Sequence, residues 1–163
     1  MGRDLTPNEL FDFVVGDFED AWEALAAQVR RRIVGRLAPD LPAALSGHVV
    51  IAGYGRVGRI VGRILDDEGV PWIAIERDAA AVARLHGGSA TVIFGEADRA
   101  ALLHRAGAET AQAVLVTLDD PEAAARTVAA ARQHWPDVPV FARARDLPAA
   151  QRLAGLGAQQ VVP

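Results

Sequence analysis

At 163 residues, just over half of them hydrophobic, the chain can bury one good core and sits near the commonest size of a single domain. A net charge of −4 and a pI near 5.5 argue against nonspecific nucleic-acid binding, which needs a basic face to displace counterions from phosphates. With no cysteine and no lysine, disulfides, thiolate zinc sites, cysteine nucleophiles and Schiff bases are excluded.

The first predicted element is a long helix over residues 8–37. Phe11, Val15, Phe18, Trp22, Leu25, Val29 and Ile33 recur at spacings of three and four, which places them on one apolar stripe. A lone helix cannot bury such a stripe against itself, so it must pack on the rest of the chain, on a second copy, or on something else. Asp12, Asp17, Glu19, Asp20 and Glu23 fill its first half and Arg30, Arg31, Arg32 and Arg36 its last turns, the order that suits a helix dipole. Those arginines are read either as a solvated helix end or as a contact to an anionic membrane surface or partner. Ala38-Pro39-Asp40-Leu41-Pro42 then stops the helix and stiffens the connection. The chain therefore divides into an arm and linker over 1–47 and a domain over 48–163.

From residue 48 onward strand and helix signals alternate. Strands are predicted at Val49 to Ala52, Trp72 to Glu76, Thr91 to Phe94, Ala113 to Thr117, Val138 to Ala142 and Gln160 to Val162. Helices are predicted from Val57 to Glu68, Ala79 to Leu85, Arg99 to Ala106, Pro121 to His134 and Pro148 to Leu156. Short, nearly continuous apolar strands mean burial on both faces of a parallel sheet covered by helices. The fold class is α/β, a Rossmann-like doubly wound parallel sheet of six strands in the order 3-2-1-4-5-6, with ligand at the carboxyl ends of the strands. Asp98 is expected to cap the third of these helices and Pro121 to sit in the first turn of the fourth. The longest uncharged stretch, Leu41 to Gly55, is broken by Pro42, Gly47 and Gly53 and is too short to span a bilayer, so the chain is expected to be soluble.

The run His48 to Gly58, HVVIAGYGRVG, joins a strand to a G-x-G-x-x-G turn and a helix, the form of a dinucleotide-binding βαβ unit. Gly53 permits the sharp turn, Gly55 lets a pyrophosphate approach the backbone, and Gly58 lets the helix pack closely on the sheet. The helix N-terminus offers unpaired N–H groups and a positive dipole end to a phosphate. Glu76 ends the second strand where a carboxylate can accept from both hydroxyls of an adenosine ribose. Its charge repels a 2′-phosphate, which favours NAD or an unphosphorylated-ribose adenine nucleotide over NADP, and the adjacent Arg77 weakens that exclusion. Arg56 either contacts phosphate or points outward to a surface acid. Gly95-Glu96-Ala97-Asp98-Arg99 either walls the adenine side or is an ordinary helix start. Thr117 closes the fourth strand at the switch point, followed by Asp119 and Asp120, while Arg143 and Arg145 close the fifth; such strand-end charges are ligand contacts or ordinary loop pairs.

Catalytic constellations are missing. His48, His86, His104 and His134 are scattered, with no metal-ligand spacing, and are read as residues on the surface or supporting a site from behind; no metal is predicted. There is no nucleophile elbow and no P-loop. A dehydrogenase needs a substrate domain, yet the sheet consumes residues 48–163 and leaves only the arm. Binding without turnover is the better reading, so the chain is not expected to be an enzyme.

HVVIAGYGRVG at 48–58, Glu76, FGEADR at 94–99, LVTLDDPE at 115–122, ARARD at 142–146 and GAQQVVP at 157–163 occur in order. Together they resemble the TrkA-N or RCK_N (KTN) domain, most closely the cytoplasmic regulatory domain of Kef-type monovalent cation:proton antiporters. The resemblance implies a module that binds NAD(H), AMP or a related adenine nucleotide and controls potassium or proton-coupled cation transport. It would act as a homodimer on a fused or associated membrane transporter domain, at the inner face of the cell membrane. Gly53, Gly55, Arg56, Val57 and Gly58 would surround phosphate, Glu76 the ribose, and Glu96 and Ala97 the adenine side. Where relatives often read G-D-A-T-R this chain reads G-E-A-D-R. The alternatives are a small NAD-dependent oxidoreductase or a subunit of one, and a structural dimerisation module whose site has lapsed.

Overall fold

A computed structural model describes residues 46–85 and 91–162. The arm helix, the linker up to residue 45 and His86 lie outside the described residues.

Six parallel strands form one sheet: β1 (Val49–Ala52), β2 (Trp72–Glu76), β3 (Val92–Phe94), β4 (Ala113–Val116), β5 (Val140–Arg143) and β6 (Gln160–Val162). Their order is β3-β2-β1-β4-β5-β6, as expected. The crossovers carry α1 (Arg56–Asp67), α2 (Ala79–Leu85), α3 (Ala100–Arg105), α4 (Pro121–His134) and α5 (Leu147–Gly155), with a 3₁₀ turn at Ala108–Thr110 before β4. The continuous apolar strands are buried along their whole length in β1 and β4, which lie at the centre.

Strand alternation divides the core into two layers. Val50, Ala52, Val114, Val116, Val140 and Ala142 face the back, where α4 presents Ala124, Val128 and Ala131 and α5 presents Leu153. Alanine on α4 lets that helix lie close to the sheet. Val49, Ile51 and Leu115 face the front with Val61 and Leu65 of α1. Gly62 of α1 is needed there because Trp72 lies against it; a Cβ at that position would be 3.0 Å from the indole ring. The Trp72 indole N–H in turn donates to Asp66 Oδ1 at 2.8 Å, which fixes the end of α1 on the start of β2.

Three local expectations need correction. The fifth strand begins at Val140, not Val138, because Val138 N–H turns back to the Trp135 carbonyl and Pro139 has no N–H to give a ladder. Asp98 does not cap the third helix: α3 starts from Arg99 without a side-chain cap, and the Asp98 carboxylate accepts from Arg126 Nε at 2.7 Å. His48 is not a surface residue. It is fully buried at the entry to β1, and its Nε2 donates to the Ala106 carbonyl at 2.7 Å. Burial drives its pKa below the usual histidine value, against a smaller upward push from that hydrogen bond. His104 and His134 are exposed, as expected.

Candidate nucleotide-binding site

At the carboxyl end of β1 the chain turns at Gly53, whose φ of +104° is a backbone conformation that side chains rarely adopt. A Cβ there would also stand 2.9 Å from Leu118 Cδ2. Gly58, one turn into α1, lies directly on the Gly53 carbonyl, and a Cβ on it would collide with that oxygen. The same carbonyl accepts a hydrogen bond of 2.6 Å from the Thr117 hydroxyl. Thr117 is 5% exposed and lies beneath the turn, so its side chain holds the turn in shape.

Gly55 differs from both. It is exposed, a Cβ on it would meet no atom within 4 Å, and it begins α1 without any side-chain cap. No acid occupies the first turn of α1. The first N–H groups of this helix therefore have no capping side chain, and the positive end of the dipole lies behind them. Arg56 is exposed beside them and has no ion-pair partner among the described residues. Val57 is half-buried and packs on the front core.

Glu76 reaches the turn from the end of β2. Its Oε2 accepts from Tyr54 N–H and its Oε1 from Asp78 N–H, both at 2.9 Å. The carboxylate thus ties the glycine turn to the neighbouring strand end, and each oxygen keeps a lone pair for a further donor. Tyr54 stacks on Trp72 with ring centroids 5.2 Å apart, which gives the turn an aromatic floor. Asp78 also caps α2 by accepting from Ala80 and Ala81 N–H.

Residues 49–163 match the family model described as the TrkA-N domain. The chain belongs to the TrkA-N domain family. Over 119 residues it is 36% identical to K(+) efflux antiporter 2, chloroplastic, of Arabidopsis thaliana, spanning 73% of this chain and 10% of that relative. It is 37% identical over 99 residues to the glutathione-regulated potassium-efflux system protein KefC of Klebsiella pneumoniae, 61% of this chain and 16% of that one. The chain thus spans only a small part of the curated relatives it matches. Among solved structures, the TrkA-N domain of the Escherichia coli inner membrane protein ybaL superposes with a TM-score of 0.69 at 29% identity, over 74% of this chain and 89% of that one. The Shewanella denitrificans Kef CTD in its AMP-bound form gives 0.62 at 33% identity, over 70% and 68%.

Within this TrkA-N domain the expected site residues divide by position. Gly53, Gly55, Arg56, Val57, Gly58 and Glu76 converge at one strand end, and Arg77 follows exposed. Glu96 is half-buried in the turn after β3, one strand further out. Ala97 turns its side chain into the back core, 4% exposed, so only its backbone can face a ligand. Tyr54, Asp78 and Leu118 were not singled out from sequence. Tyr54 acts through its N–H, which no residue type signals, whereas Asp78 four residues ahead of Val82 carries an ordinary helix-start pattern.

A separate cavity of about 250 Å³ opens between the carboxyl ends of β4 and β5 and the starts of α4 and α5. Asp119, Arg143, Arg145 and Arg152 stand around it. Arg143 donates to Asp119 at 2.9 Å, Arg145 lies 3.5 Å from the same oxygen, and Arg152 grips Glu122 of α4 with both terminal nitrogens. The Arg143 hydrogen bond holds the Asp119 carboxyl below its usual pKa. These strand-end charges are paired with one another. Among the described residues no cluster could hold a metal ion, and no helix is long and apolar enough to cross a membrane.

Proposed function

We propose that this TrkA-N domain is the nucleotide-sensing regulatory part of a potassium or other monovalent cation:proton transport system. Its ligand is AMP, another adenine nucleotide, or NAD(H). One observation carries the reading: among the described residues, α1 alone of the three helices of nine residues or more begins with neither a capping side chain nor an acid, at a glycine where a Cβ would meet nothing. Such a start accepts a phosphate without displacing any protein group. The AMP-bound Kef CTD, at 33% identity, supports an adenine nucleotide as that phosphate's owner. The resemblance to Kef and plant potassium antiporters supports transport as the process it controls.

Phosphate would lie over Gly55 and the N–H groups of the first turn, with Arg56 adding charge. The ribose would take the remaining lone pairs of Glu76, whose negative charge disfavours a 2′-phosphate. The nucleotide would act as a signal and not as a substrate, the reading that the AMP-bound Kef CTD supports. The domain would work as a homodimer, at the cytoplasmic face of the membrane, attached to a transporter domain.

Calorimetric titration with AMP, ADP, ATP, NAD⁺ and NADH tests this. Binding of at least one of them is expected, together with weaker binding of NADP⁺ than of NAD⁺. Gly55→Val should lower affinity at least tenfold, about 1.4 kcal/mol, with the thermal midpoint nearly unchanged. Absence of binding to every one of them at millimolar concentration overturns the reading.

A further inference from the structure

Charge along α1 runs against the helix dipole. α2, α3, α4 and α5 carry Arg84, Arg105, Arg132 and Arg152 in their last turns, the order that the dipole favours. α1 does the reverse. Arg56 opens it, Arg59 and Arg63 follow, and its last turn holds Asp66 and Asp67 with no base. Pairing inside the helix does not account for this order. Arg63 ahead of Asp67 by four residues is the weaker orientation of such a pair, and neither Arg63 nor Asp67 forms an ion pair among the described residues.

The outer face of α1 also has an apolar centre. Arg56, Ile60, Arg63 and Asp67, at spacings of four, three and four, share one stripe, and all four are exposed. Ile60 stands in the middle with 37% of its surface in water, whereas Val61 and Leu65, on the other side of the helix, are buried in the front core. Reversed end to end, this stripe is its own complement. Arg56 falls opposite Asp67, and Ile60 falls opposite Arg63, whose methylene stem is apolar.

We propose that the stripe is a contact between two copies of this chain, with α1 of one protomer packed antiparallel on α1 of its partner about a twofold axis between Ile60 and Arg63. The pairing is isologous. It brings Arg56 to the partner's Asp67 at both ends and lays each Ile60 on the stem of the partner's Arg63. It also sets the start of each helix beside the end of the other, so the charges that each dipole disfavours alone meet a favourable one across the contact. A helix of 12 residues is about 18 Å long, and one such pair covers less than the roughly 1,200 Å² of a standard interface, so the contact is reversible. One consequence rests on the nucleotide reading above. A phosphate over Gly55 and the partner's Asp67 would compete for Arg56, so nucleotide should loosen the pair.

A charge swap in the full chain tests the contact. Arg56→Asp and Asp67→Arg each set like charges against one another at both ends of the pair, and each suits the helix dipole, so neither endangers the fold. In sedimentation velocity the wild type should self-associate at high concentration, and either variant alone should associate several-fold more weakly. An equimolar mixture of the two should regain the wild-type strength, because acid and base again face each other at both ends. Variants as associated as the wild type, or a mixture no stronger than its components, overturn the proposal. So does a wild type that stays monomeric and instead sediments with phosphatidylglycerol vesicles, which would give the arginines to an anionic surface. Saturating AMP should weaken wild-type association several-fold. AMP that binds in calorimetry without this effect overturns the competition, while the mixture still upholds the contact. Failure of every nucleotide to bind removes the nucleotide reading alone.

Discussion

The start of α1 and the starts of α4 and α5 solve one problem in opposite ways. Every helix leaves its first N–H groups without internal partners. At α4, Asp120 accepts from Glu122 N–H at 3.1 Å, and at α5, Asp146 accepts from Ala149 N–H at 2.8 Å; a proline follows within two residues in each. At α1, Gly55 supplies no acceptor, yet glycine at this position costs a helix only a few tenths of a kcal/mol relative to the best caps. Of these three helix starts, the protein thus keeps that of α1 open at little expense and closes the two beside the arginine cavity. Charge follows the same division, since Asp119 and Glu122 occupy the arginines around that cavity, whereas Arg56 at the open start has no ion-pair partner among the described residues.

The largest expected effect attacks what shapes the open end. Gly58→Ala would drive a methyl into the Gly53 carbonyl, which Thr117 holds from the other side. Backbone cannot yield there as a flexible side chain would, so a loss of about 3 kcal/mol or more is expected in urea unfolding. Nucleotide binding should fall with it. An intact thermal midpoint in Gly58→Ala would mean that the turn is not locked by this close approach.

Next in size is a test that the far end of the sheet is independent of the site. His48 lies at the amino end of β1, buried and neutral, and burial holds its pKa below 6.5. Below that pH the unfolded chain binds a proton that the folded chain refuses, so stability falls with acid. Between pH 6.5 and 5.5 the loss should reach up to about 1 kcal/mol. His48→Gln, which can still donate to Ala106, should flatten this slope without changing nucleotide affinity at pH 7.5. A slope of equal size in the variant would assign the pH dependence to other groups.

What was legible from sequence follows from what is local. β1, β2, β6, α2 and α4 occupy their expected residues because each is an apolar or alanine-rich run bounded by glycine, proline or a capping acid. The glycine turn and Glu76 were legible for the same reason, as a spacing within one βαβ unit. His48 was misplaced because its partner, Ala106, is 58 residues away, and a histidine ahead of a strand looks alike in core and on surface. Asp98 was misassigned because its position fits a cap, but a cap needs the loop to aim the side chain at the helix, and here Arg126 claims it. Thr117 follows β4 at the switch point, yet the direction of its hydroxyl, toward the Gly53 carbonyl, depends on two strands at once.

The smallest expected effect tests the comparison most directly, by exchanging the two kinds of helix start. Asp120→Ala removes the cap of α4 and should cost about 1 kcal/mol while leaving nucleotide binding alone. Gly55→Asp does the reverse, giving α1 the side chain that α4 and α5 already have. Nothing obstructs it, since a Cβ at Gly55 meets no atom and the backbone there is extended. The carboxylate should accept from the first-turn N–H groups, interact favourably with the dipole and raise stability by a few tenths of a kcal/mol. It would also occupy the place of the phosphate with a charge of the same sign, so binding should be lost from a slightly more stable domain. Unfolding midpoints and titrations on the two variants separate these effects. If Gly55→Asp still binds nucleotide at unchanged affinity, the open start of α1 is not where the phosphate sits.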